Sequence, residues 1–172
     1  MLGLLCAYSL WGGPVTVGGS WYEFRFGGVG PAGACTAATC VPSSGGNSVF
    51  ADAPPWTFSS AFPVILTITD AFLIGDQFSS SIDGGAAQNT SLPVGGAYCG
   101  DDPAVCILNA NVSSGAFVTG SGAHSFTINA ILAPYGSGAA YFRADAVPEP
   151  VTWVLLGSGL AGLAILRRKR RF

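Results

Sequence analysis

The chain has 172 residues, 49% of them hydrophobic and only 9% charged, where an average soluble domain carries about 25% charge. That is too apolar for disorder and too poor in charge for a coiled coil, and one His, one Met and one Lys leave little for acid–base chemistry. The net charge of −2 averages two opposite segments: nine acids against Arg25 and Arg143 in residues 1–150, then five bases and no acid in residues 151–172. An acidic body with two cations argues against nucleic acid as a partner, because phosphate contacts need many Lys or Arg.

Met1–Trp11 (MLGLLCAYSLW) is apolar enough for the hydrophobic region of a secretory signal, but it lacks the basic start. Residues 1–13 read as a partial signal peptide whose true start lies upstream, with entry of Leu2–Leu10 into the core as the alternative. Residues 14–145 leave room for one domain with a core of its own.

That domain reads as β. In Trp21–Phe26, Tyr22, Phe24 and Phe26 fall on one face and Glu23 and Arg25 on the other. Val64–Asp70 alternates Val64, Leu66 and Ile68 with Thr67 and Thr69, and Gln77–Asp83 sets Phe78 and Ile82 against Ser79 and Ser81. His124–Ala130 sets Phe126, Ile128 and Ala130 against Ser125, Thr127 and Asn129, and Ala139–Arg143 is short and aromatic. Period-2 runs separated by Gly-rich or Pro-rich breaks predict an all-β, antiparallel β-sandwich or jelly roll of about eight strands. No period of 20–50 residues recurs, so a solenoid is excluded.

Cys6 lies in the N-terminal apolar segment, and the other four cysteines fall as Cys35-x4-Cys40 and Cys99-x6-Cys106. Four cysteines allow three pairings, of which the two local ones bracket short turn-rich segments. Each local disulfide would contribute about 2–2.5 kcal/mol on the chain-entropy model. A zinc site, which favours tighter spacing, is the rival reading.

Asp70, Asp76 and Asp83 stand at strand ends and turns, where hard oxygen ligands can hold Ca²⁺ and where Asp side chains cap backbone amides. No D-x-D-x-D-G loop is present, and Asp101-Asp102 reads as a solvated turn. His124 opens a strand after a Gly-rich turn and reads as a structural hydrogen-bonding group. No G-x-S-x-G nucleophile elbow exists, and Gly157-Ser158-Gly159 lies in the C-terminal apolar segment, so no catalytic residue and no enzyme activity is assigned. Trp11, Trp21, Trp56, Tyr98 and Tyr135 can stack on sugars where exposed. Trp56, which follows Pro54-Pro55, is the ring whose exposure matters first.

Val151–Leu166 (VTWVLLGSGLAGLAIL) has no charge and would span about 24 Å as a helix. Trp153 suits one interface, and Leu156, Leu163 and Leu166 supply apolar bulk. Ser158 and Gly162 form a small-xxx-small pair that permits close helix contact, and Gly157 and Gly159 lie in the same span. Arg167, Arg168, Lys169, Arg170 and Arg171 follow, which by the positive-inside rule places this end in the cytoplasm. Just before the span stands Val147-Pro148-Glu149-Pro150, two prolines that hold an extended stretch out of the helix.

An extended VPEP, an apolar helix and an Arg-rich end, in that order, resemble the PEP-CTERM sorting signal over residues 146–172. The resemblance implies export, a transient stay in the inner membrane, recognition of Pro148, Glu149 and Pro150 by exosortase, and delivery to the cell surface or matrix. A looser resemblance to secreted jelly-roll proteins covers roughly residues 20–145, through Leu66–Phe78, Cys99–Pro103 and Gly122–Phe126. It implies a sandwich without an activity. The expected role is structural or adhesive, in biofilm or exopolysaccharide. A carbohydrate-binding module, with Ca²⁺ or without, is the alternative, and a secreted hydrolase is the weakest reading.

Overall fold

Alternating large apolar residues give each sheet one face that must be hidden from water. The computed structural model describes residues 12–147, which form thirteen strands and one short helix. The elements are β1 (Gly13–Pro14), β2 (Trp21–Gly27), β3 (Gly30–Pro31), β4 (Ser48–Phe50), β5 (Trp56–Ser60), β6 (Val64–Thr69) and β7 (Phe72–Leu73). Then come β8 (Gln77–Ile82), β9 (Gln88–Asn89), β10 (Tyr98–Gly100), α1 (Pro103–Cys106), β11 (Ser114–Thr119), β12 (Gly122–Leu132) and β13 (Ser137–Ala146).

Two sheets face each other. One runs β1-β5-β12-β8-β9, with β3 also on β12; the other runs β11-β6-β13-β2-β4. A two-stranded ribbon, β10-β7, lies apart from both. The five alternating runs seen in the sequence all become strands: β2, β6, β8, β12 and β13.

The expectation of about eight strands in an antiparallel arrangement is corrected. The sheets are mixed, because β1 pairs parallel with β5 and β4 pairs parallel with β2. These added strands are two and three residues long. They are held by backbone bonds at sheet edges and carry too few side chains to show a period.

The core between the sheets is aromatic. Phe24, Phe26, Leu66, Ile68, Phe117, Ala140, Phe142 and Ala144 point inward from one sheet, and Trp56, Phe58, Phe78, Phe126, Ile128 and Ala130 from the other. Phe142 sits at the centre, its ring 4.9 Å from Trp56, 5.1 Å from Phe126 and 6.0 Å from Phe24. Trp56 is therefore not an exposed sugar platform: it is fully buried, and its indole N–H donates to the carbonyl of Asp52 at 2.8 Å. The cis Pro54-Pro55 bond precedes it.

Among the described residues no helix is long and apolar enough to cross a membrane. The expected span over 151–166, Pro148, Glu149 and Pro150, the basic run 167–171, and Cys6 and Trp11 lie outside the described residues.

Removing the central ring tests this core. Phe142→Ala should lower the unfolding free energy by about 3–5 kcal/mol in urea titrations. Phe62→Ala, at a side chain 47% exposed, should change it by about 0.5 kcal/mol or less.

Candidate functional site

The outer face of the five-stranded sheet is covered as well. A second apolar cluster of Trp21, Ala71, Ile74, Cys106, Val112 and Tyr141 lies there, with Phe72, Cys99 and Ile107 packed against it. Two devices hold this cover down. The first is Asp70, fully buried at the end of β6. Its Oδ1 accepts from the Ala71 amide at 2.8 Å, and its Oδ2 accepts from the amides of Gly75 and Asp76, each at 3.1 Å. One carboxylate thus closes the loop 71–76, the capping role that its residue type permits. The second is the pair of local disulfides, Cys35–Cys40 and Cys99–Cys106. The sulfurs are bonded to each other, so the zinc alternative is excluded.

A cleft of about 490 Å³ opens beside this layer. Its walls come from β2 (Glu23, Arg25), the end of the first disulfide loop (Thr39 to Val41), the loop 71–76 and the start of β13. Tyr135, half-exposed, stands at its wall and rests on Gly75, where a Cβ would come within 2.8 Å of the ring. Phe72 also lines the cleft and holds a left-handed backbone at φ 60°. Such strain in a bulky residue persists only where its surroundings over-determine it.

Glu23 is the unexpected feature. Alternation places it opposite the core face, which suggests solvent, yet it is fully buried. It lies directly across from Tyr141 in the β2–β13 ladder. Oδ1 of Asp76 and the hydroxyl of Tyr141 have no hydrogen-bond partner, and the Glu23 carboxyl has only the Val41 amide beside it, short of a well-formed hydrogen bond. Burial pushes the Glu23 carboxyl up to about 7, the Val41 amide working against it and Asp101 with it. Burial likewise raises Asp76 to about 6, and it raises Asp70 to about 7 against the pull of its three amides. A Glu23 oxygen and the Cys35 and Cys40 sulfurs lie within 4.8 Å of one another. Since those sulfurs form a disulfide, this is no thiolate metal site.

Asp70, Asp76 and Asp83 do not gather into one set of three. Asp70 and Asp76 share the loop beside the cleft. Asp83 follows β8 and accepts from the Ser125 amide at 2.8 Å, with His124 Nδ1 at 2.6 Å from its other oxygen. The Nε2 of His124 lies 3.1 Å from the Gly120 carbonyl. Both ring nitrogens are engaged, which leaves none to take a proton from a serine. The Asp83 carboxylate holds the His124 pKa above its ordinary value, and the imidazole in turn lowers that of Asp83.

Sequence reasoning found the disulfides and Asp70, and it named Tyr135 among several rings. It missed Glu23 and Arg25 as cleft residues. The one available signal was a lone Glu between aromatic neighbours in an otherwise uncharged strand.

The pH dependence has a definite sign. Between pH 4.5, the ordinary value for Glu, and about 7, the folded domain keeps a proton on Glu23 that the unfolded chain has released. Stability therefore falls as pH rises through that window. His124 acts in the same direction: its contribution is complete below its unfolded value of 6.5 and is lost as pH rises through the higher folded value. Urea midpoints should be higher at pH 5 than at pH 8. The difference should shrink in Glu23→Gln, and shrink separately in Asp83→Asn.

The described domain ends where β13 ends. Ala146 pairs with Val64, and the Val147 amide donates to the Pro63 carbonyl at 2.8 Å. The PEP-CTERM protein-sorting motif matches residues 146–171, beginning on that last paired residue. No curated protein and no solved structure matches the chain. The protein is thus an all-β domain followed directly by a PEP-CTERM sorting motif, the mark of a protein that exosortase sorts to the cell surface.

Proposed function

We propose that the β domain is a non-enzymatic module of the cell surface or matrix, with a structural or adhesive role in biofilm or exopolysaccharide. In this reading residues 151–166 hold the chain transiently in the inner membrane with the basic end in the cytoplasm. Exosortase then acts at Pro148, Glu149 and Pro150 and releases the domain. The supporting observation is the position of the motif, which starts at the last ladder residue, Ala146. A cut after the motif's prolines removes no strand and no core residue of the described domain. Two short disulfides and a doubly covered sheet also suit an oxidising, unprotected location.

A second reading, carbohydrate binding by the domain, is supported by one observation. Tyr135, 51% exposed, lines the same cleft as Glu23, Arg25 and Asp76. An accessible ring beside convergent polar groups is the usual make-up of a small-ligand site.

Intact-mass measurement of the protein from its own host tests the first reading. The mature product should lack the residues beyond the PEP region, and only in cells that have exosortase. Replacing Pro148, Glu149 and Pro150 by alanine should leave the chain full length. A product ending at Phe172 in both strains would mean a permanent anchor and would end the sorting reading.

A further inference from the structure

One end of the sandwich is closed by three turns that carry no charge. Residues 16–20, 60–63 and 119–123 contain no Asp, Glu, Lys or Arg. They meet around the last residues of β13. The Gly18 amide donates to the Ala144 carbonyl and the Val147 amide to the Pro63 carbonyl, each at 2.8 Å. Thr119 pairs with Val64, which pairs in turn with Ala146. Phe62 stands in the middle turn, 47% exposed, with Ala61 exposed beside it. A single exposed ring is ordinary on a protein surface. This one directly precedes the residue that fastens the Val147 amide. The acids toward this end are already engaged, Asp145 with Arg143 at 2.7 Å and Asp83 with His124 at 2.6 Å. Asp76 lies at the other end of β13, where it lines the cleft with Ser137 and Gly138.

Only Pro148, Glu149 and Pro150 separate Val147 from the apolar run 151–166. Fully extended, that connection reaches about 14 Å. The ten residues of β13 rise about 30 Å. With residues 151–166 in a bilayer, the Phe62 turn is therefore kept within reach of the lipid headgroups, and the start of β13 is not. We propose that the Phe62 turn docks on the bilayer, its ring entering the boundary between headgroups and acyl chains. This docking rests on the reading that residues 151–166 enter the membrane, and it names the surface of the domain that meets the lipid. An uncharged end meets an anionic leaflet without the repulsion that the acidic body would incur. One ring binds lipid weakly by itself, and the short connection makes the contact by raising its effective concentration. Cutting the connection removes that advantage, so one cleavage ends both the covalent tie and the surface contact.

The test places a benzophenone amino acid at position 62 of the full chain. The chain is reconstituted in vesicles of phosphatidylethanolamine with phosphatidylglycerol as the anionic minority. Illumination should join lipid to position 62 at least about tenfold more than to position 29. Val29 is the control because it is 71% exposed and follows Gly27, the partner of Ser137 at the far end of β13. The same probe at Ala61 repeats the measurement with Phe62 left in place. A Gly-Ser linker of about ten residues inserted between Val147 and Pro148 should lower the signal at position 62 several-fold. Equal adducts at 62 and 29, or none at 61 and 62 in chains that stay with the vesicles through alkaline carbonate, would overturn the docking and leave the membrane reading intact. A signal at 62 unchanged by the linker would overturn the part assigned to the short connection. Chains that carbonate strips from the vesicles would end the membrane reading and the docking with it.

Discussion

The pairing of β13 on both of its edges is the constraint from which the rest follows. β13 lies between β6 and β2, so its removal would divide the five-stranded sheet into two pairs. Its inward residues are Ala140, Phe142 and Ala144. Two small residues flanking one large ring open the space into which Phe24, Trp56 and Phe126 reach. Its outward residues include Tyr141, beneath the second apolar cluster, and Arg143, whose guanidinium carbon stands 4.7 Å from the centre of the Trp21 ring. Its first residues wall the cleft, and its last residue is the first of the sorting motif. Core, outer cover, cleft and export signal are thus joined by one strand of ten residues.

The outer cover is where the fold departs from economy. Elsewhere local preference, burial and hydrogen bonding agree, as they do in a chain with little frustration. Here a Glu and a Tyr face each other across a ladder, both buried, with no well-formed hydrogen bond for the carboxyl oxygens or the hydroxyl. A Phe in the adjoining loop holds a left-handed backbone. A well-packed core two layers thick can tolerate such costs. Their collection around one cleft, rather than their scatter over the surface, is what gives the cleft its interest.

How much of this was legible depended on what each residue answers to. Phe24, Ile68, Phe126 and Ile128 answer to alternation, and alternation placed them correctly on the core face. Glu23 answers to what covers the other face, and beside Glu23 that cover is the Cys35–Val41 segment, with residues 70–76 and 98–113 forming the adjoining cluster. No local period carries such information. Trp56 follows two prolines, which suggests a surface turn, yet its indole N–H finds a carbonyl four residues back and the ring enters the core. The short parallel edge strands were invisible for a third reason: backbone bonds form them, and backbone bonds leave no trace in side-chain pattern. The cysteines and Asp70 were readable because their chemistry is local, acting across loops of a few residues.

The junction between domain and sorting motif shows the same local chemistry serving two ends. The ladder runs through Ala146, and Val147 still gives its amide to Pro63. The next residue, Pro148, has no N–H to give, so strand pairing cannot be extended through it. The first proline of the motif therefore has no amide with which to add a rung to the ladder that ends at Ala146. Glu149 and Pro150 follow with no further donor than one amide between them. The residue type that opens Pro148-Glu149-Pro150 is thus also one that cannot donate to the ladder.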